Sequence, residues 1–161
     1  MGSLQAKNAQ GFTLVELITV VVLLSVLGVV AMGRLGNLGG FEQRALFDEV
    51  VGAVQYARKL AISTGCNVQV QLTSSGYSLR QGSPGCTDTS YTLNVLNPAS
   101  RGNAYQKSGD PNMSIPTTAT FVFTADSRVI STAGNQLGNQ TFTVNGRDFT
   151  VYGLTGLVDV L

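Results

Sequence analysis

The sequence predicts an α+β fold, in which a long N-terminal helix is apolar in its first half, amphipathic in its second, and laid by that second half on a small, mostly antiparallel β-domain. Three observations predict it. A largely apolar run with a single charge fills residues 12–32, apolar residues recur every three or four positions through 41–64, and beyond Gly65 the period changes to two. The length of 161 residues allows one domain of ordinary size beside the apolar segment. Charged residues make up 12% of the chain, about half the roughly 25% usual in soluble domains, which points to a membrane or an assembly interface. Ten Lys and Arg against nine Asp and Glu leave a net charge of +1, so no global field selects nucleic acid or anionic lipid. The chain has no His, which removes serine–histidine hydrolysis, histidine-ligated zinc and histidine proton shuttling.

The first element is the apolar helix. Its 21 residues, 12–32, contain one charge, Glu16, and at 1.5 Å per residue they reach about 30 Å, the thickness of a bilayer core. A cleaved secretory signal has a shorter apolar stretch and a small-residue cleavage site behind it, whereas Ala31, Met32 and Gly33 make no such site. A retained membrane helix is therefore expected. The polar leader, residues 1–11, carries Lys7, which favours a cytoplasmic leader with the remainder outside, although Arg34 beyond the helix opposes the bias. Glu16 is the anomaly, since a carboxylate near the end of a lipid-facing helix costs on the order of a few kcal/mol without compensation.

Four glycines in residues 33–40 weaken the helix there, each by up to about 1 kcal/mol. Helical periodicity returns in 41–64, where Phe47, Val50, Val51, Val54, Ala57, Leu60 and Ala61 form one stripe. Acidic residues lie towards its start, Arg58 and Lys59 towards its end, and Gly65 suits the C-terminal cap. A hairpin follows, 67–72 returning through Ser74, Ser75 and Gly76 into 77–80. Further strands are expected at 91–96, 120–124, 128–131, 141–145, 148–152 and 157–161. The Gly-, Pro-, Ser- and Asn-rich stretch 97–118 reads as a long excursion.

The run Gly11-Phe12-Thr13-Leu14-Val15-Glu16, leading into the apolar helix, resembles the processing site of the type IV pilin and type II secretion pseudopilin family over residues 1–40. A long helix, a hairpin entered directly after Gly65 and several strands are similar to H-type minor pseudopilins, T-type fimbrial proteins and minor pilins of mannose-sensitive haemagglutinin pili. The resemblance implies a pilin-like fold and a division into a leader peptide (1–11), a transmembrane and assembly helix with a Gly-rich hinge (12–40) and a periplasmic domain (41–161, its helix 41–64 and its β-domain 65–161). It also implies cleavage between Gly11 and Phe12 by a prepilin peptidase, N-methylation of Phe12 by an N-methyltransferase, insertion in the bacterial inner membrane as a single-pass protein, and assembly with other pilin or pseudopilin subunits. Glu16 would then face the Phe12 ammonium of a neighbouring subunit. As an isolated residue Glu16 could also snorkel to the headgroups, and physics supports a positive partner for it without choosing among that amine, the chain's own amine and the helix N-terminus.

On this topology Cys66 and Cys86 lie in an oxidising compartment, where a disulfide is expected. A redox pair or a metal site is disfavoured without C-x-x-C spacing or His. Asp110 and Asn112, or Asp126 with its neighbours, fit turns better than a calcium cage. No enzyme signature, cofactor or metal site is read from the sequence. The expected function is a structural minor pilin or pseudopilin, with a DNA-capturing or adhesive tip subunit as the alternative. Relatives that take up DNA carry Gly-Arg-x-Arg near the C-terminus, where residues 153–161 here lack arginine. Arg147, aided by Arg128 and Arg101, is the remaining phosphate candidate, and DNA binding is disfavoured.

Overall fold

The computed structural model describes residues 13–35, 38–82, 86, 90–100 and 102–161. The chain divides into two compact units, Met1–Leu38 and Gly39–Leu161. The first contains α1 (Leu14–Leu35). The leader, Gly11 and Phe12, like residues 36–37 and the Ser-Pro-Gly segment 83–85, lie outside the described residues.

Helix α2 spans Leu38–Thr64, three residues more than the stripe alone predicts. Weak helix was expected across 33–40, yet α1 continues through Gly33 and α2 includes Gly39 and Gly40. Each added residue gains a hydrogen bond without a new nucleus, which offsets a glycine cost of about 1 kcal/mol. The helix ends at Gly65, whose φ of 70° is left-handed and whose N–H donates to the Ala61 carbonyl at 3.0 Å.

Nine strands follow in two sheets: β1 (Val68–Thr73), β2 (Gly76–Gln81), β3 (Leu93–Asn94), β4 (Gln106–Lys107), β5 (Ala119–Phe123), β6 (Val129–Ile130), β7 (Gln140–Val144), β8 (Arg147–Val151) and β9 (Val158–Val160). The larger sheet runs β3-β2-β1-β5-β6 with β4 also on β2, and the smaller runs β7-β8-β9. Every pairing is antiparallel. The α+β expectation holds, with two sheets beneath the helix.

The helical stripe does what its spacing requires. Phe47, Val50, Val51, Val54, Ala57 and Ala61 are buried, and Leu60 packs against them half-buried. Phe47 meets Phe149 edge-on at 6.2 Å, Phe149 meets Phe142 at 5.4 Å, and Phe142 stacks on Phe121 at 5.4 Å. This aromatic chain runs from α2 through the smaller sheet to the larger. Each ring buries on the order of 150–250 Å², so the sheets and helix share one core.

Two expectations are corrected. The strand anticipated at 91–96 contracts to Leu93–Asn94, because only Val95 of its neighbours is buried while Leu93 and Leu96 remain exposed. The stretch 97–118 is no free excursion. Met113 and Ile115 are buried, β4 pairs with β2, and the Asp110 and Ile115 N–H groups donate to the Ser75 and Ser74 carbonyls, each at 3.0 Å. Two apolar side chains in a polar run are enough to fasten it to the core.

Candidate assembly site

Helix α1 is built to satisfy its own polar groups. Thr13 caps it, the Glu16 N–H donating to Thr13 Oγ1 at 3.3 Å and the Leu17 N–H to the Thr13 carbonyl at 3.2 Å. Thr19 Oγ1 donates to the Val15 carbonyl at 2.8 Å and Ser25 Oγ to the Val22 carbonyl at 2.7 Å, so both hydroxyls are closed within the helix. Apart from Glu16 and these hydroxyls, the outward surface from Leu14 to Val29 is apolar on every side. Leu14 is 73% exposed and Val29 75%, and every described side chain between them is exposed as well. A helix apolar on all faces needs lipid or other helices around it.

Glu16 stands in the first turn of α1, where the partial positive charge of the helix N-terminus favours a carboxylate. It has no ion-pair partner among the described residues. The side chains described in α1 run from Leu14 to Val29, about 24 Å at 1.5 Å per residue. Among the described residues no helix is long and apolar enough to cross a membrane.

In the second unit the structure assembles a cluster that spacing did not reveal. Glu49, on α2, accepts hydrogen bonds from the Tyr77 hydroxyl at 2.7 Å and from Lys107 Nζ at 2.9 Å. Lys107 also pairs with Asp110 at 3.1 Å. The bond to Glu49 raises the Lys107 pKa against a smaller desolvation effect, and the Asn112 backbone N–H, then Lys107, lower that of Asp110. Burial, then the Glu49 hydrogen bond, push the Tyr77 hydroxyl well up, so it remains a donor at all ordinary pH. Tyr105 stacks on Tyr56 at 5.2 Å. A side chain at Gly76 would collide with the Lys107 carbonyl, so only glycine lets the 97–118 segment approach β2 this closely. Glu49 and Lys107 are 58 residues apart, and no local pattern links them.

The arginines are not gathered into a phosphate site. Arg147 lays its guanidinium 4.6 Å from the centre of the Phe47 ring. Arg128 is paired with Asp126, whose carboxyl is held below its usual range by the Thr124 hydroxyl and then by Arg128. Arg101 lies outside the described residues. Asp110 and Asn112 form a turn in which the Asn112 N–H donates to Asp110 Oδ1 at 2.9 Å. No group of three or more potential metal ligands occurs among the described residues. Cys66 and Cys86 form a disulfide with a Cα separation of 4.9 Å, fastening the segment after β2 to the end of α2.

The family described as the prokaryotic N-terminal methylation motif matches residues 6–32. No curated protein matches the chain. Among solved structures, the type IV minor pilin FimU of Pseudomonas aeruginosa is similar in two crystal forms. In space group P21 the TM-score is 0.49 at 17% identity, over 74% of this chain and 88% of FimU. In space group P65 it is 0.48 at 17% identity, over 73% and 91%.

Proposed function

We infer that this chain, which carries the prokaryotic N-terminal methylation motif in residues 6–32, is a minor pilin or pseudopilin, a structural subunit of a type IV pilus or type II secretion pseudopilus. The observation that carries this reading is the match itself, because it spans the Gly11–Phe12 junction and Glu16. The capped, all-round apolar helix α1 supports it independently, since such a surface is stable only in a bilayer or in a bundle of like helices. A prepilin peptidase would cut between Gly11 and Phe12, and an N-methyltransferase would then modify the Phe12 amine. The subunit would wait in the bacterial inner membrane with its C-terminal domain in the periplasm, and its partners would be other pilin or pseudopilin subunits. Its role is mechanical rather than catalytic.

Glu16 connects the chemistry to assembly. Its carboxylate has no ion-pair partner among the described residues, and an ion pair with the new Phe12 amine of a neighbour would offset its desolvation. Membrane fractionation and blots of sheared filaments separate the two stages. Glu16→Ala is expected to insert as well as wild type, with less exposed charge to bury, and to enter filaments several-fold less. Incorporation at the wild-type level would remove Glu16 from the assembly mechanism.

A further inference from the structure

We propose that the outer edge of β9 and the groove between β9 and α2 dock one extended strand of a different protein, apolar and acidic on the face turned towards α2. The strand β9 is the last of its sheet. Its register with β8 pairs Phe149 with Val160, Thr150 with Asp159 and Val151 with Val158. The Tyr152 N–H donates to the Leu157 carbonyl at 2.8 Å and the Leu161 N–H to the Asp148 carbonyl at 3.2 Å. Hydrogen-bonded pairs alternate in an antiparallel ladder, so Asp159 directs its peptide groups to β8 while Val158 and Val160 direct theirs away from it. Among the described residues no strand pairs with that edge.

Beside the edge lies a groove of about 300 Å³ lined by Gln55, Arg58, Lys59 and Ile62 of α2 with Leu157 and Val158. Ile62 is 48% exposed, Leu157 49% and Val160 43%, a surface that a sheet edge normally avoids. Lys59 forms no ion pair among the described residues, whereas Arg58 donates to Ser127 Oγ at 2.8 Å. Strand addition takes affinity from main-chain bonds and specificity from alternate side chains. Here the side chains facing α2 would be an aliphatic one beside Ile62 and a carboxylate for Lys59. On the opposite face, Asp159 would meet a lysine or a hydroxyl.

A second copy of this chain is the poorer occupant in the register that uses both outward residues. Two β9 edges related by a twofold axis, with Val158 set against Val160 of the copy, place Asp159 opposite itself, and like charges in that position repel. The inference goes beyond the filament reading and rests on other residues, so either can fail alone.

The test titrates the full-length protein in detergent micelles with the acetylated, amidated peptide Thr-Leu-Lys-Glu-Thr. Amide exchange is expected to slow at Val158 and Val160 but not at Asp159. Val160→Pro removes an outward N–H without touching the bonds to β8 and should abolish binding. Lys59→Glu should weaken it about threefold to tenfold and reverse the preference towards the analogue with lysine in place of glutamate. No binding at about 5 mM peptide, an unchanged affinity in Val160→Pro, or self-association of the protein through β9 would overturn the proposal.

Discussion

The helices α1 and α2 are of similar length and both carry long apolar surfaces, yet they solve the problem of covering it in opposite ways. In α2 the apolar residues keep to a stripe, and Phe47, Val50, Val54 and Ala57 disappear into a core that the same chain supplies. In α1 they surround the helix, and Leu14, Leu17, Leu24 and Leu27 are all more than half exposed. Amphipathicity marks a helix whose partner is within the chain, and uniform apolarity marks one whose partner is outside it. The two helices should therefore respond differently to the same kind of damage.

The largest contrast is in the core. Phe149→Ala removes the ring that joins Phe47 to Phe142 and should cost about 3–5 kcal/mol, read as a lowered thermal or urea midpoint of the Gly39–Leu161 unit. Leu23→Ala in α1 should move that midpoint by less than about 0.5 kcal/mol. Equal losses would dissolve the distinction between the helices. The disulfide comes next, because it ties the end of α2 to the chain after β2. Cys86→Ser opens a link of sequence separation 20 and should destabilise the unit by about 2–4 kcal/mol. Wild-type protein made in an oxidising compartment should show no free thiol.

The smallest effect is electrostatic and belongs to the clamp on the 97–118 segment. Asp110 has a lowered pKa in the fold, so its contribution is complete above the unfolded value of about 4 and fades as pH falls through the folded one. Lys107 has a raised pKa, so its contribution is complete below about 10.4 and fades as pH rises through the folded value. Between about pH 4 and 10 the segment should stay fastened. On acidification, the Tyr105 and Ile115 resonances should broaden before the core unfolds, and a segment loosening near neutral pH would contradict the assignment.

How far the sequence could be read follows from the range of the interactions. The stripe of α2, the Gly65 cap and the β1–β2 hairpin depend on neighbours a few residues apart, and they were legible. The β7–β8 hairpin carried a further local signal in Asn145 and Gly146, whose φ values of 51° and 78° suit the tight turn that an Asn-Gly pair marks. The clamp of Glu49, Tyr77 and Lys107 was not legible, since it joins residues that only the folded sheet brings together. Gly76 was readable as a turn residue, but its closer constraint is the Lys107 backbone, which no local pattern announces. At the candidate site the motif around Glu16 was visible because it is contiguous. The outward peptide groups of β9 depend on register and were not.

The central claim is that the apolar helix is retained and that its amine is made by cutting at Gly11. Intact-mass measurement of the protein extracted from native membranes tests it most directly. A single chain beginning at N-methylated Phe12, with the Cys66–Cys86 bond intact, is expected. A chain that still begins at Met1, or one that begins after Ala31, would contradict it.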